Sequence, residues 1–197
     1  MIKIILASQS PRRQKLLTQI GLQFDVIPSS CKEEITSTDP QIVVEELAYQ
    51  KAVDVAKKQV NALVIGADTM VVKDGKILGK PDSKAHAFEL LSDLSGRAHY
   101  VYTGVALIRV NDNHEFISTY CFYEKTKVFF SALSSLEIQS YIASGSPMDK
   151  AGAYGIQDEW GAVFVEKIEG DFYNVVGLPL HRLYKELKTF EPGIFQP

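Results

Sequence analysis

Four basic side chains, Arg12, Arg13, Lys51 and Lys80, and two carboxylates, Glu33 and Asp68, occur together with serine or glycine loops at the ends of the chain's patterned segments. Small polar or glycine residues flank them: Ser8 and Ser10 before the arginine pair, Gly66 and Thr69 around Asp68, and Gly79 before Lys80. Cations of this kind neutralise phosphate oxygens, while carboxylates hold a divalent metal or take a proton from water. The set suits a metal-complexed polyphosphate. A site that only bound an anion would need the cations but has no evident use for the carboxylates.

These side chains must be positioned by regular elements. The run Ile2 to Leu6 is β-branched and apolar and predicts a buried strand. Ser10 as N-cap and Pro11 at the first helical position begin a helix with Leu16, Leu17 and Ile20 on one face and Gly21 at its end. Arg12 and Arg13 then fall in the first turn, where the helix dipole disfavours cations. A bound anion would offset that conflict, since a helix N-terminus after a serine-rich turn presents several N–H donors. Two solvated arginines on a capped surface helix are the alternative.

Phe24 to Ile27 predicts a second strand, and Asp39-Pro40 starts a long helix over Gln41 to Gln59. On that helix Val44, Leu47, Ala48, Ala52 and Val55 mark the apolar face. Lys51 is four residues from both Leu47 and Val55 and points with them. It is either a lysine snorkelling at the edge of the stripe or one aimed into a cleft against negative charge. "ALVIGADTMVV" reads as an apolar strand ending near Gly66, with Asp68 and Thr69 just beyond, at the end where ligands gather in open α/β sheets. Asp68 there can bind a metal, activate water or merely cap a turn. Lys80, in a glycine–proline loop, can serve a site or face solvent. Glu33 and Glu34 are adjacent in a polar loop, and in extended chain only one of them faces a given site.

Further along, Asp74-Gly75 is a two-residue hairpin signal, and a helix carrying Leu90, Leu91 and Leu94 closes at Gly96. Two long strands flank Asn111-Asp112-Asn113. Ser134 and Glu137 are spaced for a capping box. The glycine-rich "DKAGAYGIQ" allows close backbone approach to a ligand and precedes a predicted strand "GAVFVEKI". The segment "GDFYNVVGLP" leads into a last helix from Leu180 to Leu187. Strands and helices in this mixed order predict an α/β fold with a mixed, twisted sheet and flanking helices.

At 197 residues the chain suits a single domain, 1–197, with two lobes. A net charge of −3 argues against a general nucleic-acid binder. Cys31 and Cys121 lack metal-ligand spacing and read as reduced thiols. Without a basic leader or an apolar run near the roughly 18 residues of a membrane span, a cytoplasmic protein is expected. His86, His99, His114 and His181 follow no metal or nucleophile pattern and read as structural or solvent-facing. The aromatic run from Tyr120 to Phe130 reads as sheet packing.

The blocks "LASQSPRR", "GADT", "GKP", "SGRAHYVYTGVAL", "DKAGAYGIQ" and "VVGLP", in this order, resemble the Maf family of nucleoside triphosphate pyrophosphatases. The resemblance runs from Leu6 to about Leu187. It implies an α/β fold with two lobes around a central cleft, akin to the inosine triphosphate pyrophosphatases. It also implies hydrolysis of a nucleoside triphosphate to monophosphate and pyrophosphate with a divalent cation, magnesium or manganese. "KAGAYGIQ" resembles the branch acting on dTTP and UTP, not the one acting on 7-methyl-GTP.

By the same resemblance Asp68 matches the proton acceptor, Arg12, Thr69 and Gln157 match positions of substrate choice, and Ser8, Arg13, Glu33, Lys51 and Lys80 match polar positions lining the cleft. Glu33 and Asp68 are the expected metal ligands. The amide of Gln157 can pair with N3–H and a carbonyl of uracil or thymine, whereas cytosine presents the reversed exocyclic pattern. A homodimer is compatible with the fold class. The alternative function is a nucleotide-binding regulator of cell division or septum formation, the role behind the family's older name. Intact Glu33, Asp68 and Lys80 favour catalysis.

Overall fold

The computed structural model describes residues 2–158 and 160–195. The strands form one mixed sheet in the order β2-β1-β3-β5-β6-β7, with β4 paired to β3. Its members are β1 (Lys3–Leu6), β2 (Asp25–Val26), β3 (Ala62–Lys73), β4 (Lys76–Leu78), β5 (Ala98–Val110), β6 (Phe116–Phe130) and β7 (Val165–Glu169). Between them lie α1 (Pro11–Gln19), α2 (Pro40–Ala56), α3 (Lys84–Leu94), α4 (Ser135–Ala143), α5 (Gly161–Phe164), α6 (Phe172–Val176) and α7 (Leu180–Phe190). The expected mixed α/β class is what the chain adopts. Cα packing divides it into two compact units, and β3, β5 and β6 each pass from one to the other.

The first unit holds Met1–Asp68, Thr103–Glu124 and Gly177–Pro197. Here β1 runs parallel to both neighbours, with Leu6 opposite Val26 on β2 and Ile65 on β3. Helix α2 begins as its sequence dictates: Asp39 accepts the Gln41 N–H at 2.9 Å and Pro40 occupies the first turn. Its alanines close on the sheet through Ala48, Ala52 and Ala56, which join Ile5, Val64, Ala106 and Ile108 in one buried cluster. Two strand glycines make this possible. A Cβ on Gly66 would lie 2.3 Å from the Ala48 carbonyl oxygen, and one on Gly104 would lie 2.1 Å from that of Val44. Any side chain at either position would lift the helix off the sheet.

The second unit holds Thr69–Tyr102 and Lys125–Val176. The end of β3 turns back into β4 through Asp74 and Gly75, whose φ values of 49° and 76° are those of a primed turn. The Ser134–Glu137 capping box forms with both of its hydrogen bonds. A buried aromatic cluster of Tyr141, Tyr154, Phe164 and Phe130 packs with His99 in edge-to-face geometry.

Three local expectations are corrected. Strand β3 does not end near Gly66 but continues through Asp68 and Thr69 to Lys73, because it is hydrogen-bonded to β5 in the sheet, and its last residues, Val71–Lys73, also pair with β4. "GAVF" is a helical turn, α5, and only Val165 onwards is strand. The Phe164 N–H is satisfied by the Trp160 carbonyl, and the turn delivers Phe164 into the aromatic cluster. "GDFYNVVGLP" contains the short helix α6. Its start is tied by Asp171, whose carboxylate accepts the N–H groups of Tyr173 and Asn174.

Candidate functional site

In the first unit the parallel ladder between β1 and β3 ends at Leu6 and Ile65, and Ala7 makes one further bond to the Ile65 carbonyl. Strand β1 ends at Leu6, and Ser8 and Asp68 follow shortly after the last paired residues. Asp68 is therefore past the end of the parallel pairing although still inside β3. The sequence expectation about its position holds for the ladder and not for the strand.

Ser10 begins α1 without capping it through its side chain. Its N–H instead donates to the Ser8 hydroxyl oxygen at 3.3 Å. The same oxygen accepts from Arg13 Nη1 at 3.0 Å, while Arg13 Nε donates to the Gly177 carbonyl at 2.9 Å. The guanidinium is thus directed by two fixed acceptors. Burial depresses its pKa, the nearby Asp68 charge opposes that, and Arg12 adds to the depression. Arg12 sits half-buried in the same turn. The Asp68 charge favours the Arg13 cation in a first turn where the helix dipole disfavours positive charge.

Lys51 is brought to this place by α2. Gly66 fixes the helix against β3, and Asp68 is two residues further along the same face of the strand. The Lys51 Nζ bonds Asp68 Oδ1 and stands 2.8 Å from Glu33 Oε1. Its side chain is only 19% exposed and that of Asp68 15%, against 49% for Glu33. Burial alone would lower the lysine's pKa, but the charges and hydrogen bonds of Asp68 and Glu33 outweigh it and the net shift is upward. Lys51 is an ammonium shared by two carboxylates.

Of Glu33 and Glu34 it is Glu33 that pairs with Lys51, and the loop that carries them is held against α2. Glu46, Gln50 and Asp54, four residues apart, line one side of α2 and strap the loop to the helix. Asp54 accepts from Ser30 N–H at 2.7 Å and Ser29 Oγ at 3.0 Å. Gln50 exchanges two bonds with the Glu34 backbone, and Glu46 accepts from Thr36 Oγ1 at 2.6 Å. With the Glu34 main chain held in this way, Glu33 faces Lys51. The polar i, i+4, i+8 spacing was visible in the sequence, but its partner was not.

Ser8, Arg13, Glu33, Lys51 and Asp68 therefore belong to one cluster in the first unit, with Arg12 beside it. Thr69, Lys80 and Gln157 belong to the second unit. Thr69 is half-buried on β3, and Lys80 and Gln157 are exposed on loops. Sequence reasoning missed Lys150 and Asp158, which pair at 3.0 Å with side chains 9% and 16% exposed. They bracket the loop that carries Gln157. Asp158 also receives the Ser146 hydroxyl at 2.9 Å. No helix of the described residues is long and apolar enough to cross a membrane.

The chain is 51% identical over 189 residues to a dTTP/UTP pyrophosphatase of Carboxydothermus hydrogenoformans, covering 96% of this chain and 99% of that protein. It is 50% identical over 191 residues to a dTTP/UTP pyrophosphatase of Bacillus anthracis, with 96% of each covered. To one of Bacillus mycoides it is 48% identical over 195 residues, with 98% of each covered. Among solved structures, the Ham1 protein of Staphylococcus aureus aligns with 65% of this chain and 71% of that one, at 19% identity and a TM-score of 0.44. The family described as Maf-like protein matches residues 3–190. Over nearly its whole length, this chain belongs to the Maf family.

Proposed function

We propose that this protein hydrolyses dTTP and UTP to the monophosphate and pyrophosphate. Water attacks the α-phosphorus, the bond from phosphorus to the α,β-bridging oxygen breaks, and pyrophosphate leaves with that oxygen. The observation that carries this reading is the shared ammonium of Lys51, held between Glu33 and Asp68 beside the Ser8–Arg13 pair. Relatives about half identical over almost the full chain bear the name of this activity.

In this reading Arg13 and Lys51 meet phosphate oxygens, where negative charge grows as the bond breaks. Lys51 can exchange one carboxylate for a phosphate oxygen without leaving the other. Asp68 accepts the proton of the attacking water. Lys80 adds positive charge for the leaving pyrophosphate, and Arg12, Thr69 and Gln157 select the nucleotide. The reaction takes place on free nucleotides of the cytoplasm.

A divalent cation fits the donor set. Glu33 and Asp68 are hard oxygen ligands that already converge on one cation, the kind of site that suits magnesium or manganese. Among the described residues no third acidic, histidine or cysteine ligand joins them. A magnesium ion held by one or two carboxylates typically completes its shell with water and substrate phosphates. Such an ion would supply charge neutralisation on the triphosphate.

Incubating the protein with UTP, dTTP, CTP and GTP in magnesium or manganese, in isotopically labelled water, tests the reading. The expected result is pyrophosphate from UTP and dTTP, with label in the monophosphate. Orthophosphate as product, or label in the pyrophosphate, would refute it.

A further inference from the structure

Gln157 is exposed between a buried Ile156 and a half-buried Asp158, so its aim depends on how the loop beneath it is held. The two ends of the loop are joined by Lys150 and Asp158 at 3.0 Å. The Tyr141 hydroxyl accepts the Gly155 N–H at 3.1 Å. At the middle of the loop Tyr154 turns inward, and its hydroxyl lies 2.7 Å from His99 Nε2 on β5. Tyr154 is 5% and His99 1% exposed, and Phe130 packs edge-on against both rings.

The direction of this bond follows from counting protons. His99 Nδ1 is buried with no hydrogen-bond partner among the described residues. If the imidazole proton were on Nε2, it would donate to Tyr154, leaving the tyrosine proton and Nδ1 both unsatisfied. With the proton on Nδ1, Tyr154 donates to Nε2 and only the Nδ1–H is unmet. One buried unsatisfied group costs less than two. Tyr154 is the donor and His99 the acceptor. The depressed basicity of His99, about 4 through burial, then Lys73, keeps Nε2 available as an acceptor.

We infer that His99 is a positioning residue for base choice: by accepting the Tyr154 hydroxyl it fixes the 150–158 loop and with it the orientation of the Gln157 amide. The inference rests on the reading that Gln157 meets the pyrimidine. It requires an acceptor at the Nε2 position, which the amide of glutamine can supply and phenylalanine cannot.

The test combines kcat/KM for UTP and CTP with amide hydrogen exchange in Tyr154→Phe, His99→Phe, His99→Gln and Gln157→Ala. Tyr154→Phe and His99→Phe should each reduce the UTP-over-CTP preference by about 2- to 10-fold, the factor a neutral hydrogen bond is worth. They should also speed exchange at the Gly155 and Asp158 amides, leaving those of α2 unchanged. His99→Gln should keep both properties near wild type. Faster exchange throughout the protein, or His99→Gln behaving as His99→Phe, overturns the inference. If Gln157→Ala shifts the preference and Tyr154→Phe does not, the inference fails while the reading of Gln157 stands. If Gln157→Ala leaves the preference unchanged, that reading falls and takes the inference with it.

Discussion

Substituting Gly66 by alanine probes how the candidate site is assembled without touching any of its polar groups. The added Cβ would lie 2.3 Å from the Ala48 carbonyl oxygen, 2.9 Å from Ala52 N and 2.8 Å from Ala52 Cβ. A carbon–oxygen contact settles at about 3.3 Å or more, so α2 must retreat by about 1 Å. Two of the three neighbours are backbone atoms, which cannot rotate aside, and Ala52 Cβ blocks a lateral slide. Overpacking of this kind costs about 1–3 kcal/mol. Lys51 moves with Ala52, its neighbour on the helix, and its bond to Asp68 lengthens or tilts. A displacement of ~1 Å in a positioned group can cost ~10²-fold in rate. Urea unfolding followed by circular dichroism reads the first effect, and pyrophosphate release from UTP reads the second. Gly79→Ala is the stability control, because its Cβ meets nothing within 4 Å and its φ is not positive. A Gly66→Ala protein with wild-type stability and turnover would refute the claim that this contact sets the Lys51–Asp68 geometry.

Asp68→Asn should lower kcat by at least ~10²-fold in a folded protein, since an amide cannot take the proton from water; near-normal turnover would remove Asp68 from the mechanism. Lys51→Met should reduce kcat/KM for UTP and dTTP by similar factors, because the ammonium acts on phosphate and not on the base; a changed UTP-to-dTTP ratio would contradict that role. The pKa of His99 falls from 6.5 to about 4 on folding, so the unfolded chain binds a proton that the folded one refuses between those values. Stability should accordingly fall as pH drops from 7 to 5, and this residue accounts for about 2 kcal/mol of that loss. Urea titrations at both pH values should show a shallower pH dependence for His99→Gln; equal dependence would place the acid sensitivity elsewhere.

Much of the local structure was legible because it rests on near neighbours in the chain. Asp39-Pro40, Ser134 with Glu137, and Asp74-Gly75 each specify a cap or turn through contacts no more than a few residues apart, and each forms as read. The stripe of Val44, Leu47, Ala48, Ala52 and Val55 identified the buried face of α2, and Lys51 could be seen to share it. Ordered sequence blocks carried the family. The errors came where a distant partner decided the outcome. Strand β3 outlasts its apolar run because β5, distant in sequence, pairs with it in the sheet, and α5 replaces the predicted strand start because Phe164 is drawn into the aromatic cluster.

The residue types, their order and the helix and turn boundaries follow from short-range sterics and capping, which a linear sequence contains in full. The convergence of Glu33 and Asp68 on one ammonium does not. It depends on α2 lying close enough to β3 for Gly66 to be indispensable, and on Gln50 holding the backbone of Glu34 so that Glu33 faces inward. Likewise the glycines of "KAGAYGIQ" announce a segment open to close backbone approach, whereas its fastening through Lys150, Asp158, Tyr154 and His99 exists only in the folded protein. Charges and hydrogen-bonding groups far apart in sequence acquire their partners, and their altered basicity, only when packing removes them from water together.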